Sequence, residues 1–155
     1  MLYSCKPILQ RVKANVTEDL RALNLTPKVA ILVTGNDEPS ARYVRNKVRD
    51  FSEVGIDYEI INTMSDKGYA SLDDIADIIR TLNADYRVHG IIIQRPVYTL
   101  EYSTQTSALV LNRLIRFDKD IDGVTEQSGF LPPSVKGLQL LLDEWKIDPP
   151  GRHVT

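Results

Sequence analysis

Apolar residues recur at Ile8, Val12, Val16 and Leu20 between about Pro7 and Leu23, with polar positions opposite, and this four-residue step predicts an outer helix. After Pro27 comes Val29-Ala-Ile-Leu-Val-Thr34, an uninterrupted apolar run rich in β-branched residues and closed by Gly35-Asn36-Asp37. That pattern predicts a short strand buried on both faces. The period then returns to helical from Ser40 to about Val54, with Ala41, Val44, Val48 and Phe51 as the core-facing stripe. Gly55 is the expected stop, because glycine tolerates the left-handed conformation that ends a helix.

The rhythm repeats. Asp57 to Asn62 reads as a second strand, and Ser65 to Ala70 as a loop. Ser71 with Asp74 forms a helix-opening cap for the periodic Leu72, Ile75, Ile79 and Leu82. Val88 to Gln94 is a third strand, broken by Pro96, and Thr106 to Phe117 a further helix. Lys119 to Gly123 is compatible with a very short strand or strand end, and a loop with Gly129, Pro132 and Pro133 leads to a last helix from Ser134 to Trp145. Alternating strands and helices predict an α/β fold: a three-layer αβα arrangement with a small, mainly parallel sheet of about four strands. Ligands of such sheets bind beyond the carboxyl ends of the strands, which collects Gly35–Lys47, Gln94–Pro96 and Asp120–Gly123 on one rim.

Length and composition narrow the function. The 155 residues suit one compact domain, and 43% hydrophobic with 26% charged residues is ordinary globular usage. A formal charge of −2 argues against nucleic acid as a partner, since phosphate neutralisation needs clustered Lys and Arg. Cys5 is the single cysteine, so neither an intrachain disulfide nor a cysteine zinc site is available. No apolar run approaches the roughly 18 residues of a membrane span, and the first residues lack a signal-peptide layout. A cytoplasmic protein that does not bind membranes is expected.

Asp118, Asp120 and Asp122 before Gly123 imitate the start of a calcium-binding loop, but the twelfth position is Gly129, where a bidentate Glu is required. No metal site is expected. None of the eight glycines builds a P-loop or a G-x-G-x-x-G turn, so a dinucleotide has no place on this chain.

Tyr43 and Lys47 lie four apart on the helix that follows the first strand, one above the other on the flank of the apolar stripe. Ser40 is the expected cap of that helix. A sheltered lysine sheds its proton more readily than one in water, which makes Lys47 a candidate acid or base. Taken alone, the pair fits a solvated helix face with snorkelling side chains better than a catalytic pair.

Three motifs in order settle the comparison. Ser40-x-x-Tyr43-x-x-x-Lys47, Gly90-Ile-Ile-Ile-Gln94-Arg-Pro96 and Lys119-Asp-Ile-Asp122-Gly123 together resemble the amino-terminal catalytic domain of the bifunctional methylenetetrahydrofolate dehydrogenase/cyclohydrolase family. The resemblance extends over nearly the whole chain, including the final Gly151-Arg-His-Val-Thr.

It implies one-carbon folate metabolism: oxidation of a methylene-tetrahydrofolate to the methenyl cation, then hydrolysis to the formyl compound. Lys47 would manage protons, Tyr43 would stack on the folate rings, Gln94 would hold Lys47 by a hydrogen bond, and Asp122 would accept hydrogen bonds from the pterin. Pro96 and Gly123 would complete the substrate site. The resemblance also implies that residues 1–150 form the folate-binding domain and that 151–155 begin an NADP-binding Rossmann domain, the intact protein being a homodimer that acts on tetrahydrofolate derivatives. Two departures stand out: the family's Q-L-P-L is Gln94-Arg95-Pro96-Val97 here, and its P-C-T-P is Pro132-Pro133-Ser134-Val135. The alternatives are a non-catalytic folate-binding or regulatory module and a flavodoxin-like interaction domain.

Overall fold

The structure, a computed structural model, describes residues 4–148, 150 and 151. Eight elements follow in chain order: α1 (Lys6–Leu23), β1 (Lys28–Val33), α2 (Glu38–Val54), β2 (Asp57–Asn62), α3 (Leu72–Ala84), β3 (Gly90–Ile93), α4 (Thr104–Asn112) and α5 (Pro133–Glu144). The expected opening of a second domain at 151–155 falls, apart from Gly151, outside the described residues.

The sheet has three parallel strands in the order β2-β1-β3, one fewer than the pattern predicted. β1 is central because it is apolar on both faces. Val29 and Ile31 join Val44 and Ile92 in one buried cluster, with Val48 and Phe51 packed against it. Ala30 and Leu32 face the other way, into a larger cluster with Ile75, Ile79, Leu82, Val97, Ala108 and Leu111. The first layer is therefore α2, which is tied to α1 by ion pairs from Lys13 to Asp50 at 2.8 Å and to Glu53. The second is α3 and α4. β2 is an edge strand, and its alternation leaves Tyr58 and Ile60 exposed.

The fourth unit makes no strand. Ile91 N–H donates to Lys119 O at 2.9 Å, but the chain then turns instead of continuing beside β3. Asp120 causes the turn: its carboxylate accepts from Val124 N at 3.2 Å, Thr125 N at 2.9 Å and Thr125 Oγ1 at 2.8 Å. Ile121 then folds across Gly90, where an added Cβ would lie 2.7 Å from Ile121 Cδ1.

Two helices also differ from the sequence pattern for local reasons. α4 stops at Asn112 because the Asn83 side chain captures the next residues, donating to Leu114 O at 2.7 Å and accepting from Arg116 N at 3.1 Å. α2 begins at Glu38, and its cap is Asp37, not Ser40: Asp37 Oδ1 accepts from Ser40 N at 2.9 Å. Pro39 explains the earlier start, since proline's fixed φ suits the first helical turn. At α3 the Ser71–Asp74 capping box is present, and α2 ends on Gly55 at φ 87°.

Candidate active site

With capping assigned to Asp37, the Ser40 side chain is released for another task. Ser40, Tyr43, Val44 and Lys47 occupy successive positions of one helical face of α2, with Val44 pointing into the core. Depth into the fold then separates them: Ser40 is 4% exposed, Lys47 half-buried and Tyr43 65% exposed. The Tyr43 side chain is largely in solvent, and Lys47 lies at intermediate depth.

β3 brings the second group. Gln94 N–H donates to Leu32 O at 2.9 Å, which extends the ladder one residue past the strand and fixes where the Gln94 side chain starts. That side chain is 7% exposed. Its Nε2 donates to Arg95 O at 2.8 Å, and its Oε1 accepts from Lys47 Nζ at 3.3 Å. The two bonds orient the amide, because only the nitrogen side donates to a carbonyl and only the oxygen side accepts from an amine. Ser40 Oγ donates to the same Arg95 carbonyl at 3.1 Å. One backbone oxygen, next to the cis Arg95–Pro96 peptide, thus gathers α2 and the end of β3 around Lys47.

The third group comes from the turn after β3's neighbour segment. Asp122 and Gly123 are both half-buried. Asp122 makes no hydrogen bond or ion pair among the described residues, so its carboxylate is free to accept from a ligand. The three aspartates of the calcium-like run go three ways: Asp118 pairs with Arg116 at 2.6 Å, Asp120 is fully buried in its turn, and Asp122 stays open. Gly123 is required by its backbone, with φ 59° and a position where a Cβ would meet Phe130 O at 2.6 Å. No group of three or more His, Cys, Asp or Glu suited to a metal occurs among the described residues.

The structure therefore joins Lys47, Gln94 and the Arg95–Pro96 turn by hydrogen bonds and places Tyr43 on the same helix face. Asp122 and Gly123 lie on a separate turn, with no hydrogen bond to the other four among the described residues. Sequence reasoning missed Asp120, whose three bonds set the geometry of that turn, and Asp37, whose carboxyl is held below the usual carboxylate range by the Ser40 N–H. The signal for Asp37 was its place just before Glu38-Pro39. Asp120 had none, since only burial separates it from its two neighbours. Arg95, the unusual cation of the motif, lines a cleft against α4, and its guanidinium makes no hydrogen bond or ion pair among the described residues.

Comparison with known proteins identifies the family. Residues 4–122 match the family model of the tetrahydrofolate dehydrogenase/cyclohydrolase catalytic domain. The chain is 29% identical over 165 residues to the Bifunctional protein FolD of Chlamydia trachomatis, covering 100% of this chain and 55% of that protein. Among solved structures it resembles the bifunctional enzyme FolD, a methylenetetrahydrofolate dehydrogenase/cyclohydrolase from Campylobacter jejuni, with a TM-score of 0.79 and 25% identity over 95% of this chain and 54% of that one. The fold alone is shared with the Trypanosoma brucei methylenetetrahydrofolate dehydrogenase-cyclohydrolase, solved with NADP cofactor and inhibitor, at a TM-score of 0.82 and 15% identity over 98% of this chain and 54% of that one. The chain spans about half the length of the curated relatives it matches.

Proposed function

Since the chain belongs to the tetrahydrofolate dehydrogenase/cyclohydrolase catalytic-domain family, we propose that it supplies the folate-binding, proton-handling part of an enzyme of one-carbon metabolism. The substrate is a methylene-tetrahydrofolate, oxidised to the methenyl cation and hydrolysed to the formyl compound. The observation that carries this proposal is the bond from Lys47 Nζ to an amide oriented by Arg95 O, a lysine held in place on an open rim beside a free aromatic face.

Tyr43 lies under the folate rings, where its π-face favours the delocalised methenyl cation. Asp122 accepts from the amino and ring N–H groups of the pterin, and Pro96 and Gly123 bound the site without placing side-chain bulk in it. In the hydrolysis, water oxygen bonds to the methenyl carbon and Lys47 takes the proton that the water loses. The carbinolamine then breaks one carbon–nitrogen bond: the leaving nitrogen takes a proton from Lys47, the hydroxyl proton passes to solvent as the carbon–oxygen double bond forms, and the formyl group remains on the other nitrogen. A positioned acid/base of this kind contributes about 10²–10⁴-fold in rate.

NADP does not fit on this chain, which has no glycine-rich phosphate loop. In this proposal the dinucleotide belongs to a Rossmann domain that begins at 151–155, and residues 1–150 align the bridge carbon for it. The intact protein is proposed to be a cytoplasmic homodimer acting on tetrahydrofolate derivatives. For localisation, the supporting fact is that no helix among the described residues is long and apolar enough to cross a membrane.

The test is methenyl-tetrahydrofolate hydrolysis by the full-length protein. Lys47→Met is expected to remove the enzymatic rate while folate binding persists. An unchanged rate in this variant would overturn the catalytic assignment.

A further inference from the structure

Against the Arg95–Pro96 turn lies a cleft of about 1060 Å³ that Tyr43, Lys47 and Gln94 do not line. Its walls are α4, the turn at 95–97, the segment around Ile115 and Phe117, and the turn at 124–127. Val97, Ala108 and Ile115 are buried core residues and form an apolar floor, while Leu109 and Phe117 expose apolar surface along one wall. This is the size and lining of a small-molecule site.

Asn112 is the unusual member. It is 6% exposed, yet its side-chain amide has no hydrogen-bond partner among the described residues. Its polar atoms are not sealed inside the protein, so they open onto the cleft they line. That amide has no protein partner among the described residues, and a ligand in the cleft would supply one. Arg95 and Arg113 also line the cleft, and neither guanidinium makes an ion pair or hydrogen bond among the described residues. Glu126 is the one carboxylate on the lining, so the two guanidiniums leave a net positive charge.

Two unengaged guanidiniums, an unengaged amide and an apolar floor ask for one kind of molecule. We propose that this cleft binds a small organic oxyanion, a carboxylate or phosphate monoester carried on an apolar or aromatic body, through Arg95, Arg113 and Asn112. Guanidinium forks take planar oxyanions in paired hydrogen bonds, the Asn112 amide donates to a further oxygen, and the body rests on Val97, Ala108 and Ile115. Tyr43, Lys47, Gln94 and Asp122 do not line this cleft, which adjoins the proposed folate site at the Arg95–Pro96 turn and at the segment after Gly123.

The test uses the 155-residue chain with benzoate, phenyl phosphate, inorganic phosphate and neutral benzamide, followed by amide NMR and calorimetry. Benzoate or phenyl phosphate is expected to bind saturably at about 1 mM or tighter, moving the Asn112 side-chain resonances. Which of the two binds better assigns the natural ligand to carboxylates or phosphates. Arg113→Gln, a change at an exposed residue that leaves the fold intact, is expected to weaken that binding at least about tenfold, as is replacing the anion by benzamide. The proposal is overturned if no anion binds, if Arg113→Gln binds as tightly as the wild type, or if benzamide or inorganic phosphate matches the aromatic anions.

Discussion

Ser40→Ala, Gln94→Met and the double variant test whether the Arg95 carbonyl is the pivot of the Lys47 site. That oxygen accepts from Ser40 Oγ at 3.1 Å and from Gln94 Nε2 at 2.8 Å. Both donors are more than nine-tenths buried, so the carbonyl they meet faces the protein. Either single substitution leaves one donor in place, and each then costs about one net hydrogen bond, about 0.5–1.5 kcal/mol. Gln94→Met loses the Lys47 contact as well, but that loss appears equally in the double variant and cancels from the cycle. Removing both donors strands the carbonyl, which adds its desolvation penalty of about 1–3 kcal/mol. The double variant should therefore be less stable than the two singles predict by about 1–2 kcal/mol. Urea unfolding of the chain reads this from the midpoints, provided the slope stays constant across the four proteins. Additivity to within about 0.5 kcal/mol would show that the two bonds do not act on a shared, water-excluded oxygen. In the full-length protein the same logic predicts that Ser40→Ala lowers kcat for methenyl hydrolysis more than it raises KM, because Ser40 positions Gln94 and touches no ligand.

Tyr43→Ala separates function from folding: at 65% exposure the substitution should change stability by less than about 0.5 kcal/mol, while calorimetric folate binding by the intact protein weakens at least about tenfold. Lys119→Met should destabilise by about 2–4 kcal/mol in urea titration, because the 6%-exposed ammonium donates at 2.7 Å to both Leu82 O and Asp85 O near the end of α3, and both carbonyls lose their partner. Burial holds the Lys119 amine below the usual 10.5, so the unfolded chain binds more protons as that value is approached. Wild-type stability should therefore gain on Lys119→Met as pH rises through this window, and a narrowing gap would contradict the assignment. Gly123→Ala combines left-handed backbone with a Cβ 2.6 Å from Phe130 O and should cost about 2–4 kcal/mol, whereas Gly55→Ala, at φ 87° with nothing within 4 Å, should cost only the conformational part, about 1–2 kcal/mol, in thermal or urea unfolding.

Much of the molecule was legible in the order of its residues. The run from Val29 to Thr34 is apolar at every position but the last, and an uninterrupted run has no face to spare for water. It therefore became the central strand, while the alternating Asp57–Asn62 became an edge. Gly55 and the Ser71–Asp74 box marked helix ends because their chemistry is local, complete within four residues. The spacing of Ser40, Tyr43 and Lys47 determined that they share a helix face, and the parallel βα order determined that this face lies toward the carboxyl ends of the strands.

What the tertiary structure decided is what those residues touch. Asp37 and Ser40 are both capping residues by type, and only the entry of the chain at Glu38 assigned the cap to one and released the other for Arg95, which is 55 residues away in sequence. Asp118, Asp120 and Asp122 look alike in the sequence. Burial made Asp120 the anchor of a turn and ended the hope of a fourth strand, and left Asp122 open. Arg95 and Asn112 belong to separate elements and meet only because α4 packs beside the Arg95–Pro96 turn to enclose a cleft. Short-range periodicity and turn chemistry are properties of neighbours along the chain, whereas burial and the partner of a buried polar atom are properties of neighbours in space.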